Sequence, residues 1–334
     1  MLPLSCIGTL NEEVAHIIKL TDKTLTVLDT TNCPTAVLTE FCELLLCTGA
    51  DYIEMDWATA QRLDSALVLD RAVVRLGNPA QSTPGFSRRV CHITDLPVIS
   101  PHIHEIQVND VREISLLGRY QDCGNIRITG LSDLVLHDIS NAFNQIRKRL
   151  NGPIELCPND DYGCAGAILT EWLMDGGNGV GTFMGVGGFA PLEEVTMALR
   201  IAKRHRPNQD LSMFPRLCQL FTKISGIAVP PHKAVLGDAI FEVESGIHVD
   251  GILKNAAIYE PFSPDVVGAQ RRIVIGKHSG LTSLRYYLSN LENDFPEDLL
   301  PQLLDMIRSE AVRLSRSLND DEVLAVAEKV QVAL

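Results

Sequence analysis

Apolar residues in the first two thirds of the chain come in short blocks that switch between two periods. Blocks rich in β-branched and aromatic residues, bounded by polar or Gly/Pro positions, read as strands. They fall at Leu25–Thr31, Tyr52–Trp57, residues 70–76, 90–93 and 104–108, Asn125–Gly130, Pro153–Cys157, and a glycine-rich stretch over 176–188. Blocks with helical spacing lie between them at 36–48 (closed by Gly49), 111–120, 138–150, 163–175 and 191–204, and residues 10–20 suit a short helix. Strands and helices alternating in this way predict parallel βα units. Their mean spacing suits a closed barrel and an open sheet equally. The LTVLDTT block ends in polar residues, which puts the functional end of that strand at its C-terminus. Beyond residue 280 only the helical period remains, predicting helices at 281–293, 297–316 and 320–331, the last opened by the capping box Asn319-x-x-Glu322.

Between Ser225 and Gly280 the periodicity breaks down, and Gly, Pro, His and paired charges concentrate. Such loop-rich segments on a rigid scaffold commonly carry a site. Within it, Glu244-Ser245-Gly246-Ile247-His248 spaces an acid and a base four residues apart. On a helix the two would share a face, and a carboxylate beside His would raise its pKa and hold its ring. The plainer reading is a surface His with an acid nearby.

Charge and cysteine content narrow the classes. With 29 basic and 42 acidic residues the net charge is −13, which argues against non-specific binding to nucleic acid or an anionic membrane. No apolar run is long enough to span a bilayer, and the first twenty residues lack the basic start and apolar core of a secretory signal. The nine cysteines are scattered and form no Cys-x-x-Cys, a reduced pattern that predicts a cytoplasmic protein with most thiols as small buried groups.

The runs ESGIHVDGILK from Glu244, Tyr259-Glu260-Pro261-Phe262, and RRIVIGKHSG from Arg271 stand in the order found in one family. The segment resembles the linker and first C-terminal subdomain of the homocitrate synthases, most closely the nitrogen-fixation type, and their relatives the isopropylmalate synthases. The resemblance implies a (β/α)₈ TIM barrel followed by a small, mostly helical C-terminal subdomain. The expected division is a barrel over 1–222, a linker and subdomain over 223–280, and helices over 281–334. It implies a Claisen condensation of acetyl-CoA with a 2-oxo acid, and a homodimer, or a heterodimer with a complete paralogue. In such enzymes this His and this Tyr, here His248 and Tyr259, belong to the acid/base machinery, often donated across the dimer; Glu244 is the third catalytic candidate.

The barrel half departs from the family pattern. Against D-T-T-L-R-D-G-E-Q, whose Arg stabilises the oxyanion and whose second Asp binds a divalent metal, the chain sets Asp29-Thr30-Thr31-Asn32-Cys33-Pro34, with Cys33 at the Arg and Pro34 at the metal Asp. Against H-x-H-N-D-x-G it sets Cys157-Pro158-Asn159-Asp160-Asp161-Tyr162-Gly163. The loop Gly185–Ala190 lacks the E-R and Asn of G-x-G-E-R-x-G-N, although Pro191-Leu192-Glu193-Glu194-Val195 survives after it, and Thr129-Gly130-Leu131 replaces A-D-T. No metal or other cofactor is therefore expected in this chain, and condensation is expected to need a complete partner subunit. A catalytically inactive pseudoenzyme with a regulatory or structural role is the alternative.

Other constellations are weaker. His102-x-His104, with Glu105 and Asp110 nearby, has strand spacing suited to a metal. Cys33, Cys157, Asp160 and Asp161 are the residues available for a rebuilt zinc site. The glycines from Gly179 to Gly188 do not follow the order of a dinucleotide loop. Lys277-His278-Ser279 reads as structural, and Arg271 and Arg272 as interface or surface charges.

Overall fold

Parallel pairing runs around the first part of the chain and returns to its start. In the computed structural model, which describes residues 18–78, 81–93, 102–205 and 210–332, the chain divides into two units, residues 1–229 and 230–334. In the first unit eight strands form a closed barrel in chain order. They are β1 (Leu20–Asp22), β2 (Tyr52–Asp56), β3 (Ala72–Leu76), β4 (Arg88–His92), β5 (Ile103–Val108), β6 (Asn125–Gly130), β7 (Ile154–Pro158) and β8 (Asn178–Gly181). The barrel closes where β1 pairs with both β2 and β8, Asp22 lying opposite Ile53 on one side and Gly181 on the other.

Helices α1 (Thr35–Thr48), α2 (Trp57–Arg62), α3 (Ala66–Asp70), α4 (Ile139–Arg149), α5 (Ala165–Met174), α6 (Leu192–Lys203) and α7 (Phe214–Ser225) complete this unit. Outward strand residues such as Ile106, Ile126, Ile128 and Leu156 pack with Phe143, Ile146, Leu169 and Trp172 of α4 and α5. Edge-on aromatic pairs add to the buried area, Phe143–Trp172 at 4.9 Å in this layer and Phe183–Phe221 at 5.5 Å between the turn after β8 and α7.

The first strand lies upstream of LTVLDTT. The Asp22 carboxylate accepts hydrogen bonds from the backbone N–H and hydroxyl of Thr24, at 2.8 and 3.0 Å, which ends β1 and starts a 3₁₀ turn over Thr24–Thr26. Asp29 caps its own turn by accepting from the Thr31 N–H. The β propensity of this block is local and gives way to those two side-chain caps. Cys33 and Pro34 therefore do not stand at a strand end, and Pro34 is the residue before α1. The helix expected over 10–20 lies mostly outside the described residues, and Leu20 opens β1. The helix expected at 111–120 is a 3₁₀ segment, Val111–Tyr120.

The second unit holds a two-stranded parallel ladder, β9 (Glu242–Val243) with β10 (Arg272–Ile273), flanked by α8 (Gly246–Asn255) and followed by α9 (Leu281–Asn290), α10 (Leu300–Leu314) and α11 (Asp320–Val332). Leu284, Leu288, Leu303, Ile307, Val323 and Val330 form its core, which also takes in Ile275 just past β10. That shared core explains why the ladder and the helices form one unit. The boundary expected after residue 222 falls inside α7, and the division lies at 229/230.

Asp22 makes stability pH-dependent. Burial raises its pKa from 3.8 to about 7, against the lowering effect of the Thr24 bonds. Between those values the folded state holds a proton that the unfolded chain releases, so stability falls as pH rises and is lowest above about 7. Asp22→Asn should flatten that slope and gain on the order of 2–4 kcal/mol at pH 8. Urea unfolding at pH 4.5 and pH 8 checks both effects.

Candidate active site

Strand alternation turns Glu54, Arg75, Glu105, Arg127 and Glu155 into the bore of the barrel, each a charged residue beside an apolar neighbour on its strand. Arg127, 0% exposed, is the hub. Its guanidinium pairs with Glu54, with Glu105 at 3.4 Å and with Glu155 at 2.8 Å. Arg75 adds a bond to Glu54 at 2.6 Å and a two-pronged pair with Glu105 at 3.0 and 2.7 Å. His92 reaches the same carboxylate, Nδ1 lying 3.7 Å from Glu105. Burial alone would raise the Glu105 pKa. Hydrogen bonds from Arg75 and the charges of Arg127, Arg75 and Lys23 outweigh it and bring the value down to about 2. Glu54 is likewise held below its usual value, burial being offset by Arg127, Arg75 and Lys23, and both guanidiniums are raised.

One step towards the C-terminal rim, where TIM-barrel sites are built, Thr129 and Cys157 lie in register on β6 and β7 above Arg127 and Glu155. Lys23 follows β1 directly, its N–H bonded to the Gly181 carbonyl at 2.9 Å. Its ammonium lies 4.1 Å from the centroid of the Phe189 ring. Burial pushes the Cys157 thiol upward in pKa while the charges of Lys23 and Arg127 oppose it, which places all three in one electrostatic neighbourhood. A cleft of about 410 Å³ lined by Arg147, Pro153, Trp172, Gly177 and Asn178 lies at the opposite, N-terminal ends of β7 and β8, away from these groups.

Several residues singled out in the sequence do not converge. His104 and Glu105 are neighbours on β5 and therefore face opposite sides of the wall, so Glu105 cannot complete a site with that His. Asp110 caps its own turn through the Arg112 N–H, and Asp160 caps α5 through Ala165 N at 2.7 Å. Among the described residues no three His, Cys, Asp or Glu side chains form a group able to hold a metal ion.

In the second unit the structure brings His248 and Tyr259 together, their rings 5.4 Å apart and tilted by 53°. Tyr259 packs back onto α8 at Gly251, where any Cβ would lie 2.2–2.4 Å from the phenol ring. Both rings are exposed, Tyr259 by 42%, and Ile247 and Ile258 beside them are exposed by 78% and 72%. Glu244 is placed elsewhere. Because α8 begins only at Gly246, Glu244 does not share a helical face with His248. Its carboxylate accepts from the His278 N–H at 2.6 Å and the Ser317 hydroxyl at 3.1 Å, tying the Lys277-His278-Ser279 loop and the start of α11 to β9. The bore network and Lys23 were missed in the sequence. The available signal was a charge at an inward position inside the apolar blocks of β2, β3, β5, β6 and β7, acidic on β2, β5 and β7 and basic on β3 and β6.

Residues 235–315 match a family model described as "Homocitrate synthase post-HMGL domain-like". Over 225 residues the chain is 36% identical to a homocitrate synthase of Frankia sp. (strain FaC1), covering 65% of this chain and 55% of that one. It is 31% identical over 199 residues to a Clostridium pasteurianum protein named "Homocitrate synthase, omega subunit", covering 60% and 56%. It is 38% identical over 191 residues to 2-isopropylmalate synthase 2 of Caldanaerobacter subterraneus subsp. tengcongensis, covering 56% and 50%. The chain thus spans little more than half the length of these relatives. Among the described residues no helix is long and apolar enough to cross a membrane.

Removing the hub should be costly whatever the barrel does. Arg127→Met leaves three bore carboxylates without their common partner, and breaking a buried pair in this way costs about 3–5 kcal/mol. Chemical denaturation at neutral pH should show that loss, with part of it recovered at low pH as the glutamates take up protons.

Proposed function

We propose that this chain, which is similar to homocitrate synthases and isopropylmalate synthases, works as one component of an acyltransferase of that kind. The reaction condenses acetyl-CoA with a 2-oxo acid, 2-oxoglutarate in the homocitrate case. A base takes a proton from the acetyl methyl, the carbanion adds to the keto carbon, the alkoxide gains a proton, and water releases CoA from the thioester. Imidazole and phenol are side chains suited to those transfers. The observation that carries the reading is the His248–Tyr259 pair, presented on the segment that matches the family model. Glu244, by its bonds to His278 and Ser317, positions this segment rather than touching substrate.

The family's divalent metal does not suit the donors present. With β1 ending at Asp22, the run set against D-T-T-L-R-D is Asp22-Lys23-Thr24-Leu25-Thr26-Val27, so Thr26 takes the Arg position and Val27 the metal Asp. Neither residue can do the work of the one it replaces. On β7 a thiol whose pKa is raised by burial, Cys157, and the amide of Asn159 stand for two imidazoles; metals are held by the thiolate, not the thiol. No step of the condensation is assigned to a metal in this barrel. On this reading a complete partner subunit supplies the barrel chemistry, and this chain lends His248 and Tyr259. The word "subunit" in the name of the clostridial relative is in keeping with such a division of labour. The same poor donor set favours, as a second reading, a pseudoenzyme that regulates a relative.

The two readings separate in a mixed assay. Added to a complete homocitrate synthase, the chain should raise CoA release with 2-oxoglutarate. His248→Ala or Tyr259→Phe should cut that increment by roughly 10²-fold or more, the usual contribution of acid/base groups. An increment indifferent to both substitutions would support the regulator instead.

A further inference from the structure

We propose that Lys23 is the receptor for the carboxylate of a small oxo acid at the mouth of the barrel, a cation tethered to the chain where the relatives use a bound divalent one. The proposal rests on reading the barrel rim as a substrate site, but it does not require that condensation occur there.

Lys23 is 6% exposed, an unusual burial for a lysine. It is inward-facing, on the side of β1 opposite to Asp22, whose carboxylate interacts with Thr24 and lies near Cys42 and Glu193 on the outer helices. Among the described residues, no hydrogen bond or ion pair engages the ammonium, which lies against the face of Phe189. The bore carboxylates are already taken by guanidiniums, Glu54 and Glu105 by both Arg75 and Arg127, Glu155 by Arg127. Lys23 balances their surplus negative charge only from a distance, so its three N–H donors remain for a ligand. A buried ammonium gains most from a hydrogen-bonded anion.

The surroundings fit a carboxylate. Phe189 fixes the ammonium from one side, and its backbone bridges to Asn159 beyond β7, so the loops after β7 and β8 frame the group together. Arg75, a quarter exposed, is a second positive charge in the bore, held by Glu54 and Glu105. Thr129 and Cys157 lie in register with each other on β6 and β7, and Cys157 is within electrostatic reach of Lys23. A single ammonium with an aromatic face on one side suits a carboxylate better than a phosphate, which is usually bound by several backbone N–H groups.

The test is binding, not turnover. Pyruvate, 2-oxoglutarate and inorganic phosphate are titrated into the full chain by calorimetry, with and without EDTA. Binding of at least one oxo acid, tighter than phosphate and unchanged by EDTA, is expected. Lys23→Met should weaken it at least tenfold, and Lys23→Arg less. In the unsubstituted protein the same oxo acid should shield Lys23 from acetic anhydride, read by peptide mass spectrometry; this arm decides the matter if Lys23→Met does not fold. No binding, a requirement for added divalent metal, equal affinity for phosphate, unchanged affinity in Lys23→Met or no shielding would each overturn the proposal. Carboxylate binding that depends on Lys23 without any CoA release in the mixed assay would leave it standing and remove the acyltransferase reading instead.

Discussion

Charge taken out of water must find a partner, and the barrel is arranged around that demand at Arg127. Three carboxylates from β2, β5 and β7 converge on one guanidinium from β6. A slip of one residue in any of these strands would turn its charge outward into the apolar layer between the barrel and its helices. The network therefore does for register what a stacked layer of branched side chains does in an apolar barrel bore. Its net contribution to stability is modest, since desolvation offsets most of the attraction. Its contribution to uniqueness is larger, because wrong pairings leave a charge buried and alone.

The two units use their carboxylates differently. In the barrel, glutamates balance cations and hold them in place. In the second unit Glu244 is drawn into the backbone, its oxygens taken by His278 and Ser317. No carboxylate among the described residues pairs with His248, which lies against the Tyr259 ring. An imidazole and a phenol held together by packing, with Gly251 leaving room for the ring, keep their polar atoms available. The exposed Ile247 and Ile258 beside them place this polar pair within an apolar surface.

Most of the barrel was legible because period-two blocks such as NIRITG and PIELC are unambiguous even where their neighbours are not. The failure at β1 is instructive. LTVLDTT has the composition of a strand, yet the short caps at Asp22 and Asp29 convert it into turns, and three residues of true strand, LTD, carry no periodic signal of their own. That error also hid Lys23, which makes sense as a bore residue only once Asp22 is known to end β1. Glu244 was misread for a related reason. A spacing of four has meaning inside a helix, and α8 starts two residues too late for it to apply. The sequence departures at the rim were legible as losses; what replaced them was not, because a compensating side chain need not occupy the position of the residue it compensates.

A tethered ammonium and a bound divalent ion are not equivalent, and the difference bears on what this barrel can do. Lysine carries one charge on a flexible stem and donates hydrogen bonds, which is enough to seat a carboxylate. It does not polarise a keto oxygen as a Lewis acid does. A barrel rim that holds substrate through Lys23 and leaves activation to other groups would bind oxo acid without turning it over by itself. That is the behaviour expected of one half of a shared enzyme. On the proposed reading, the poor metal donors of the rim and the exposed His248–Tyr259 pair of the second unit would share one cause, a barrel relieved of the demands of transition-state stabilisation.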